Sequence, residues 1–213
     1  MKKFLFVFIF VVLCFALVGC ASNNTVNNAA NNTVNHSVTN TNITNFTNEN
    51  LTYETEKISI EPKEEVISSF STNILDKDSG RQTNISLTCS TLNGTIVKPY
   101  ETFSFCDTVG EATPEKGYEQ AKIFDANGNI IMGYGGGNCQ VSSTLYNAVL
   151  ENSNFEIVER HPHSHTVYYV EKDKDAAVAC GSVDFKFKNN NSYSIRIDAS
   201  TDGNQVTISI VKI

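Results

Sequence analysis

Three consecutive glycines run straight into a helix-forming segment, and no other stretch limits the fold of this chain so tightly. The segment reads Gly135-Gly136-Gly137-Asn138-Cys139-Gln140-Val141-Ser142-Ser143-Thr144-Leu145-Tyr146-Asn147-Ala148. The glycines permit a sharp turn and a close backbone approach that a side chain would block. Val141, Leu145, Ala148 and Val149 recur at helical spacing, so the run has one apolar face. A helix is predicted over residues 141–152, with Ser142, Ser143 and Thr144 suited to its first turn. Cys139 then lies where unpaired N–H groups and the positive end of a helix dipole converge. Both lower a thiol pKa, from about 8.5 into roughly the 3.5–7.5 range of activated cysteines. The N–H groups of Gly136 and Gly137 are candidates to face a developing oxyanion. Gln140 either polarises that oxyanion or hydrogen-bonds the helix start. Two readings fit the segment: a cysteine nucleophile, or a buried cysteine behind a glycine-rich turn.

Downstream, Glu159-Arg160-His161-Pro162-His163-Ser164-His165 holds three of the four histidines of the chain at alternate positions. Val167, Tyr168, Tyr169 and Val170 follow and read as a strand. Alternate residues of an extended chain share a face, so His161, His163 and His165 can point one way, although Pro162 interrupts the regularity. A thiol nucleophile needs a base for its proton and an acid for the leaving amine, and imidazole serves as both near neutral pH. Two other readings remain: metal ligation together with Cys139, for which a clear zinc-type spacing is lacking, and a solvated polar turn.

The N-terminus addresses the chain to a membrane. Lys2 and Lys3 precede an apolar run over residues 4–18, and Leu17-Val18-Gly19-Cys20 resembles a lipoprotein processing site. The run, at ~15 residues, is short of the ~20 of a usual span, which favours a signal over an uncleaved anchor. Residues 1–19 are therefore expected to be a lipoprotein signal, with Cys20 the lipidated residue. Residues 20–55 are rich in Asn and Thr and nearly devoid of charge. They bury too little apolar surface to offset the entropy of ordering, and read as a disordered tether. Asn-x-Ser/Thr triplets at Asn23, Asn31, Asn35, Asn42, Asn45 and Asn50 are glycan acceptors only where a suitable machinery exists.

Residues 56–213 are long enough for one domain with its own core. Stretches 182–188, 192–199 and 205–211 alternate apolar and polar residues, with Asp202-Gly203-Asn204 as a hairpin turn. A second hairpin is expected over 121–132, tipped by Asn127-Gly128-Asn129, and a second helix over 82–92. The fold class is α+β: an antiparallel sheet with the Cys139 helix packed on it. A net charge of −7 offers no basic stripe for nucleic acid. Of the cysteines beyond Cys20, Cys89, Cys106, Cys139 and Cys180 allow three full pairings. If Cys139 stays reduced, at most one bridge forms among the other three; four free thiols also fit.

The chain resembles the VanW family. The resemblance runs through Phe103-Ser104-Phe105, Val109-Gly110, Gly117-Tyr118, Gln120-Ala121 and the whole Gly135–Ala148 segment. It continues through Glu159-Arg160-His161, His163-Ser164, Asp175-Ala176, Asp184-Phe185-Lys186-Phe187 and Asn189-Asn190. The family usually shows Pro-Gly before Phe-Ser-Phe, where this chain has Pro99-Tyr100, and often Asn after it, where this chain has Cys106. Members are similar to cell-wall proteins associated with glycopeptide resistance, and some act as L,D-transpeptidases with a cysteine nucleophile. That implies Cys139 as nucleophile and His163 as the best-matched base, with His161 behind it. Asp175 or Asp184 would orient the histidine, and Arg160 would join Gly136, Gly137 and Gln140 around the substrate. The implied partner is a cell-wall peptide; no metal and no cofactor is implied. A peptidase or amidase using the same nucleophile, and a non-catalytic wall-binding lipoprotein, are the rival functions.

Overall fold

A computed structural model describes residues 64–125 and 128–213. The N-terminal apolar run, Cys20, the Asn/Thr-rich stretch and Asn127 of the expected hairpin tip lie outside those residues. The element order is β1 (Glu65–Asn73), α1 (Ser79–Leu92), β2 (Thr95–Val97), β3 (Thr102–Ser104), α2 (Phe105–Val109), β4 (Gln120–Phe124), β5 (Ile130–Tyr134), α3 (Asn138–Leu150), β6 (Phe155–Glu159), β7 (Lys186–Asn189), β8 (Ile195–Thr201) and β9 (Gln205–Lys212). The class is α+β, with every strand pair antiparallel. There are three sheets rather than one: β1-β9-β8-β2, β3-β7-β6 and the β4-β5 hairpin.

The alternation in the tail does what period two requires. Ile195, Ile197 and Ala199 of β8 and Val206, Ile208 and Ile210 of β9 are buried, and the residues between them face outward or sit at the margin. The turn between the two strands is held by Asp202, whose Oδ1 accepts the N–H groups of Asn204 and Gln205 at 2.8 Å each. Against this sheet pack α1, through Ile85, Cys89 and Leu92, and α3, through Val141, Leu145, Ala148 and Val149. Each Ile, Leu or Val fully buried in this way contributes roughly 1.5–3 kcal/mol.

Both helices begin earlier than their apolar periodicity suggests. Helix α1 starts at Ser79, because Asp78 caps it by accepting the Arg81 N–H at 3.2 Å. Helix α3 starts at Asn138, so Cys139 lies inside its first turn. Ser142, Ser143 and Thr144 belong to the next turn, and their hydroxyls bond back to the carbonyls of Cys139 and Gln140. No side chain caps α3; Gly137 takes the cap position at φ 117°. A β-carbon there would lie 2.7 Å from Ile85 Cγ1. One at Gly136 would lie 2.8 Å from both the Ala121 β-carbon and the Lys122 carbonyl oxygen. The glycines thus let α3 start directly against α1 and β4.

Two expected strands are cut back. Only Lys186–Asn189 of the 182–188 stretch joins a sheet, because residues 179–183 close a turn in which the Ala179 and Val183 main chains bond each other. Residues 167–170 form no strand. Exposure still alternates from His161 to Tyr169, but no neighbouring strand among the described residues supplies a ladder. Strands β1, β2, β3 and β6 were not anticipated. Cys106 and Cys180 form a disulfide between α2 and the segment leading into β7, and among the described residues Cys89 and Cys139 are free thiols. Burial pushes the Cys89 thiol up to about 12.

Tyr100 is the residue that replaces the expected glycine after Pro99, and it sits at φ 63°. Its N–H donates to the Asn189 carbonyl at 2.7 Å, which fixes the turn into β3. A left-handed conformation costs a non-glycine residue roughly 1–2 kcal/mol. The Tyr100 side chain is 63% exposed and loses little packing if removed. Tyr100→Gly is therefore expected to stabilise the protein by about 0.5–1 kcal/mol, after the extra flexibility of an unfolded glycine is deducted. Thermal unfolding checks this; a lower melting temperature than the parent would show that the strain argument fails.

Candidate active site

The start of α3 opens into a cavity of about 460 Å³. Its wall includes Gly136, Gly137, Cys139 and Gln140 from one side and His163 and His165 from the other. Cys139 is half-buried. Its Sγ lies 3.5 Å from the Val178 N–H nitrogen and 3.4 Å from the Val178 carbonyl oxygen, so the thiol can donate to one and accept from the other. The N–H groups of Asn138 and Gln140 bond to the carbonyls of Gly135 and Gly137 at 3.0 Å each. Those of Gly136, Gly137 and Cys139 have no acceptor among the described residues. They are the free donors that a helix start leaves over.

The expected depression of the thiol pKa is not what the site produces. Burial pushes the Cys139 thiol up, and the charge of Asp175 adds to the rise. The Val178 N–H and the Arg81 charge oppose it without prevailing. A helix start counts for less than desolvation when the sulfur is largely withdrawn from water.

His163 is held from behind. Its ring Nδ1 lies 2.6 Å from Asp175 Oδ2, and the same oxygen accepts its main-chain N–H at 2.6 Å. Arg160 completes the clamp, with Nε on the Asp175 carbonyl at 2.6 Å and Nη2 on Oδ1 at 2.7 Å. Burial alone would raise the Asp175 pKa; the His163 hydrogen bonds and charge reverse that, and it lies below its ordinary value. With the carboxylate ionised, Nδ1 carries the proton and Nε2 is left for proton transfer. No hydrogen bond joins His163 to Cys139 among the described residues.

The remaining candidates separate. His161 is outside the cavity wall; its Nε2 lies 3.0 Å from Glu159 Oε1, and its main chain bridges Ala177. Pro162 divides it from the other two histidines. Arg160 and Asp175 also stand behind the wall rather than in it, with the Arg160 guanidinium 5.5 Å over the Tyr146 ring. Asp184 is structural, accepting from Ser104 Oγ at 2.6 Å and from the Cys106 N–H at 2.9 Å. Gln140 has no donor left for an oxyanion. Its amide gives both hydrogens, to Thr72 Oγ1 at 3.1 Å and the Asn73 carbonyl at 3.0 Å, while Oε1 accepts Arg81 Nη2 at 2.8 Å. Among the described residues, no cluster of three or more His, Cys, Asp or Glu is placed to hold a metal.

Two residues of the site were not anticipated. Arg81 comes from α1, and Tyr169 from the segment after the histidines; both line the cavity beside Cys139. Burial pushes the Tyr169 hydroxyl well up, and the Cys139 charge adds to it. Nothing in the spacing of Arg81 links it to Cys139. Tyr169 was visible only as the outermost of the alternate positions that begin at His161.

A raised pKa keeps the thiol neutral below the ordinary thiol range. Alkylation of Cys139 in the resting protein should therefore rise with a midpoint above about 8.5. A pH series with a small electrophile, read by intact mass, measures it. A midpoint near neutrality would mean that the resting sulfur is already a thiolate.

Residues 80–211 match the family model described as VanW like protein. The chain is 38% identical over 167 residues to the uncharacterized protein YoaR of Bacillus subtilis, covering 74% of this chain and 54% of that protein. It is 30% identical over 132 residues to the vancomycin B-type resistance protein VanW of Enterococcus faecalis, covering 58% of this chain and 46% of that protein. The chain thus spans about half the length of the curated relatives it matches. No solved structure matches it. With its family model covering more than half of its length, and with the motifs around Cys139 and His163 inside that match, the chain belongs to the VanW family.

Proposed function

We propose that this protein is a cell-envelope cysteine acyltransferase that acts on wall peptides in the manner of an L,D-transpeptidase. The observation that carries the reading is the shared cavity of Cys139 and His163, with the His163 ring fixed by Asp175 and Arg160. In this reading Sγ turns from the Val178 peptide toward His163 Nε2 as the peptide is bound. The Cys139 proton passes to His163 while sulfur bonds to the carbonyl carbon of an L-residue. The oxyanion is received by the free N–H groups of Gly136, Gly137 and Cys139. The C–N bond to the following D-residue breaks, and His163 returns the proton to the leaving amine. A side-chain amine of a second peptide then attacks the thioester, giving its proton to His163 and releasing Cys139.

The raised thiol pKa favours one rival, a wall-binding module in which Cys139 is unreactive. Against it stand the three unused N–H groups and the oriented imidazole, which a binding role does not need. The vancomycin-resistance name of the Enterococcus relative is in keeping with wall-peptide chemistry. Hydrolysis differs from transfer only in that water replaces the amine, so product analysis decides between them.

Incubation of the full chain with a disaccharide tetrapeptide should release the terminal D-residue and form cross-linked dimer, as read by mass spectrometry. Cys139→Ala should abolish both while leaving the thermal unfolding curve nearly unchanged. Product formation that persists in Cys139→Ala excludes the thioester route, and release without dimer identifies a peptidase.

We also propose that the protein is held at the outer face of the membrane by lipid on Cys20. The motive is Leu17-Val18-Gly19-Cys20 after the apolar run. Detergent-phase partition of the parent should be lost in Cys20→Ala; a variant that partitions and is processed like the parent removes the lipoprotein reading.

A further inference from the structure

A second cavity of about 270 Å³ adjoins the first and shares with it Arg81, Lys122, Ile123, Phe124, Gln140 and Tyr169. The cleft therefore has two lobes, and Arg81 stands where they meet. Its guanidinium is held on one side only, by Nη2 on Gln140 Oε1 at 2.8 Å. Its Nε–H is buried and has no acceptor among the described residues. No carboxylate pairs with it among those residues. Gln140 is itself fixed by Thr72 and Asn73, so the orientation of Arg81 is set by β1 and α3 rather than by solvent.

A guanidinium oriented from one side by Gln140 and paired with no carboxylate among the described residues keeps N–H donors for an anion from outside the fold. Leaving a buried N–H unpaired is costly, and the planar fork of Arg matches a carboxylate through two parallel bonds. Arg81 is close enough to act electrostatically on both Cys139 and Tyr169, yet hydrogen-bonds to neither.

We propose that Arg81 is the receptor for the free C-terminal carboxylate of the donor peptide, on the leaving side of the attacked bond. The placement on the leaving side rests on the proposed chemistry at Cys139; the binding of a carboxylate does not. The protein then favours a bond close to a free C-terminus over the same bond inside a longer chain. Lys122, whose Nζ lies 4.0 Å from Asp76 Oδ2, also borders both lobes but is already partnered.

The test uses the full chain with Cys139→Ala, which cannot turn over. The probe is a blocked peptide in which an L-residue precedes a terminal D-alanine, prepared as free acid and as C-terminal amide. Calorimetry should show the acid binding at least about tenfold tighter than the amide. Arg81→Gln in the same chain should bring that ratio close to one, and Arg81→Lys should leave an intermediate ratio. Equal binding of acid and amide overturns the proposal even if no Arg81 variant folds, because that comparison uses the native side chain. A preference that survives Arg81→Gln also overturns it. The same acid and amide pair on an acceptor peptide with a free amine is the second arm; a preference found only there moves the carboxylate to the acceptor and overturns the donor assignment. If the donor preference holds and depends on Arg81 while the parent forms no product, the receptor stands and the chemistry proposed at Cys139 fails.

Discussion

The first turns of α3 are buried and polar at once, and the rest of the domain is arranged to satisfy them. Asn138, Gln140, Ser142, Ser143, Thr144 and Asn147 are all buried. A buried polar group without a partner costs roughly 1–3 kcal/mol, so six of them in one helix would be untenable if left alone. Each finds its partner on a different part of the chain. Thr88 of α1 meets Asn138, and Thr72 of β1 meets both Gln140 and Thr144. The Ala176 main chain meets Ser142 and Ser143, and the Lys174 carbonyl accepts from Asn147. Helix α3 thus draws β1, α1 and the loop before β7 to one place, and that place is the cavity wall.

The same loop carries the carboxylate that holds His163. Asp175 lies next to Ala176, so the contact that buries α3 also sets the position of the carboxylate that clamps His163. Arg160, just past the end of β6, closes the clamp and is shielded over Tyr146, which belongs to α3. The imidazole is therefore referenced to α3 through packing and main-chain bonds rather than by direct contact with the Cys139 sulfur. Such an arrangement holds geometry while leaving the thiol free to change partner.

Local patterns were legible where one element decides its own fate. The apolar spacing of Val141, Leu145 and Ala148 marked α3, and strict alternation marked β8 and β9. The glycines before Cys139 announced a close approach that Ala121, Lys122 and Ile85 confirm. What escaped was set by partners distant in sequence. Residues 167–170 have strand-like composition, but a strand needs a neighbour and none of the described strands pairs with them. Gln140 looked like an oxyanion donor until Thr72, Asn73 and Arg81 took all its hydrogen-bonding capacity. The thiol pKa went the wrong way because helix dipoles are readable from sequence, whereas desolvation depends on everything that surrounds the sulfur. Of the three histidines, His163 bonds Asp175 and His161 pairs with Glu159, partners that spacing alone does not assign.

The Cys106–Cys180 bridge has a neighbour that bears on its survival. Cys180 and Cys139 border the same cavity, so an oxidised pair and a reduced sulfur coexist within one small space. Sulfur exchange proceeds by attack of a thiolate, and its rate follows the fraction of that form. A thiol pushed up by burial holds less of that form, which slows both exchange with the bridge and the first rung of sulfur oxidation. On the proposed chemistry, burial that looks like a handicap is then a form of storage: the reactive state is withheld until something in the cavity draws the proton away.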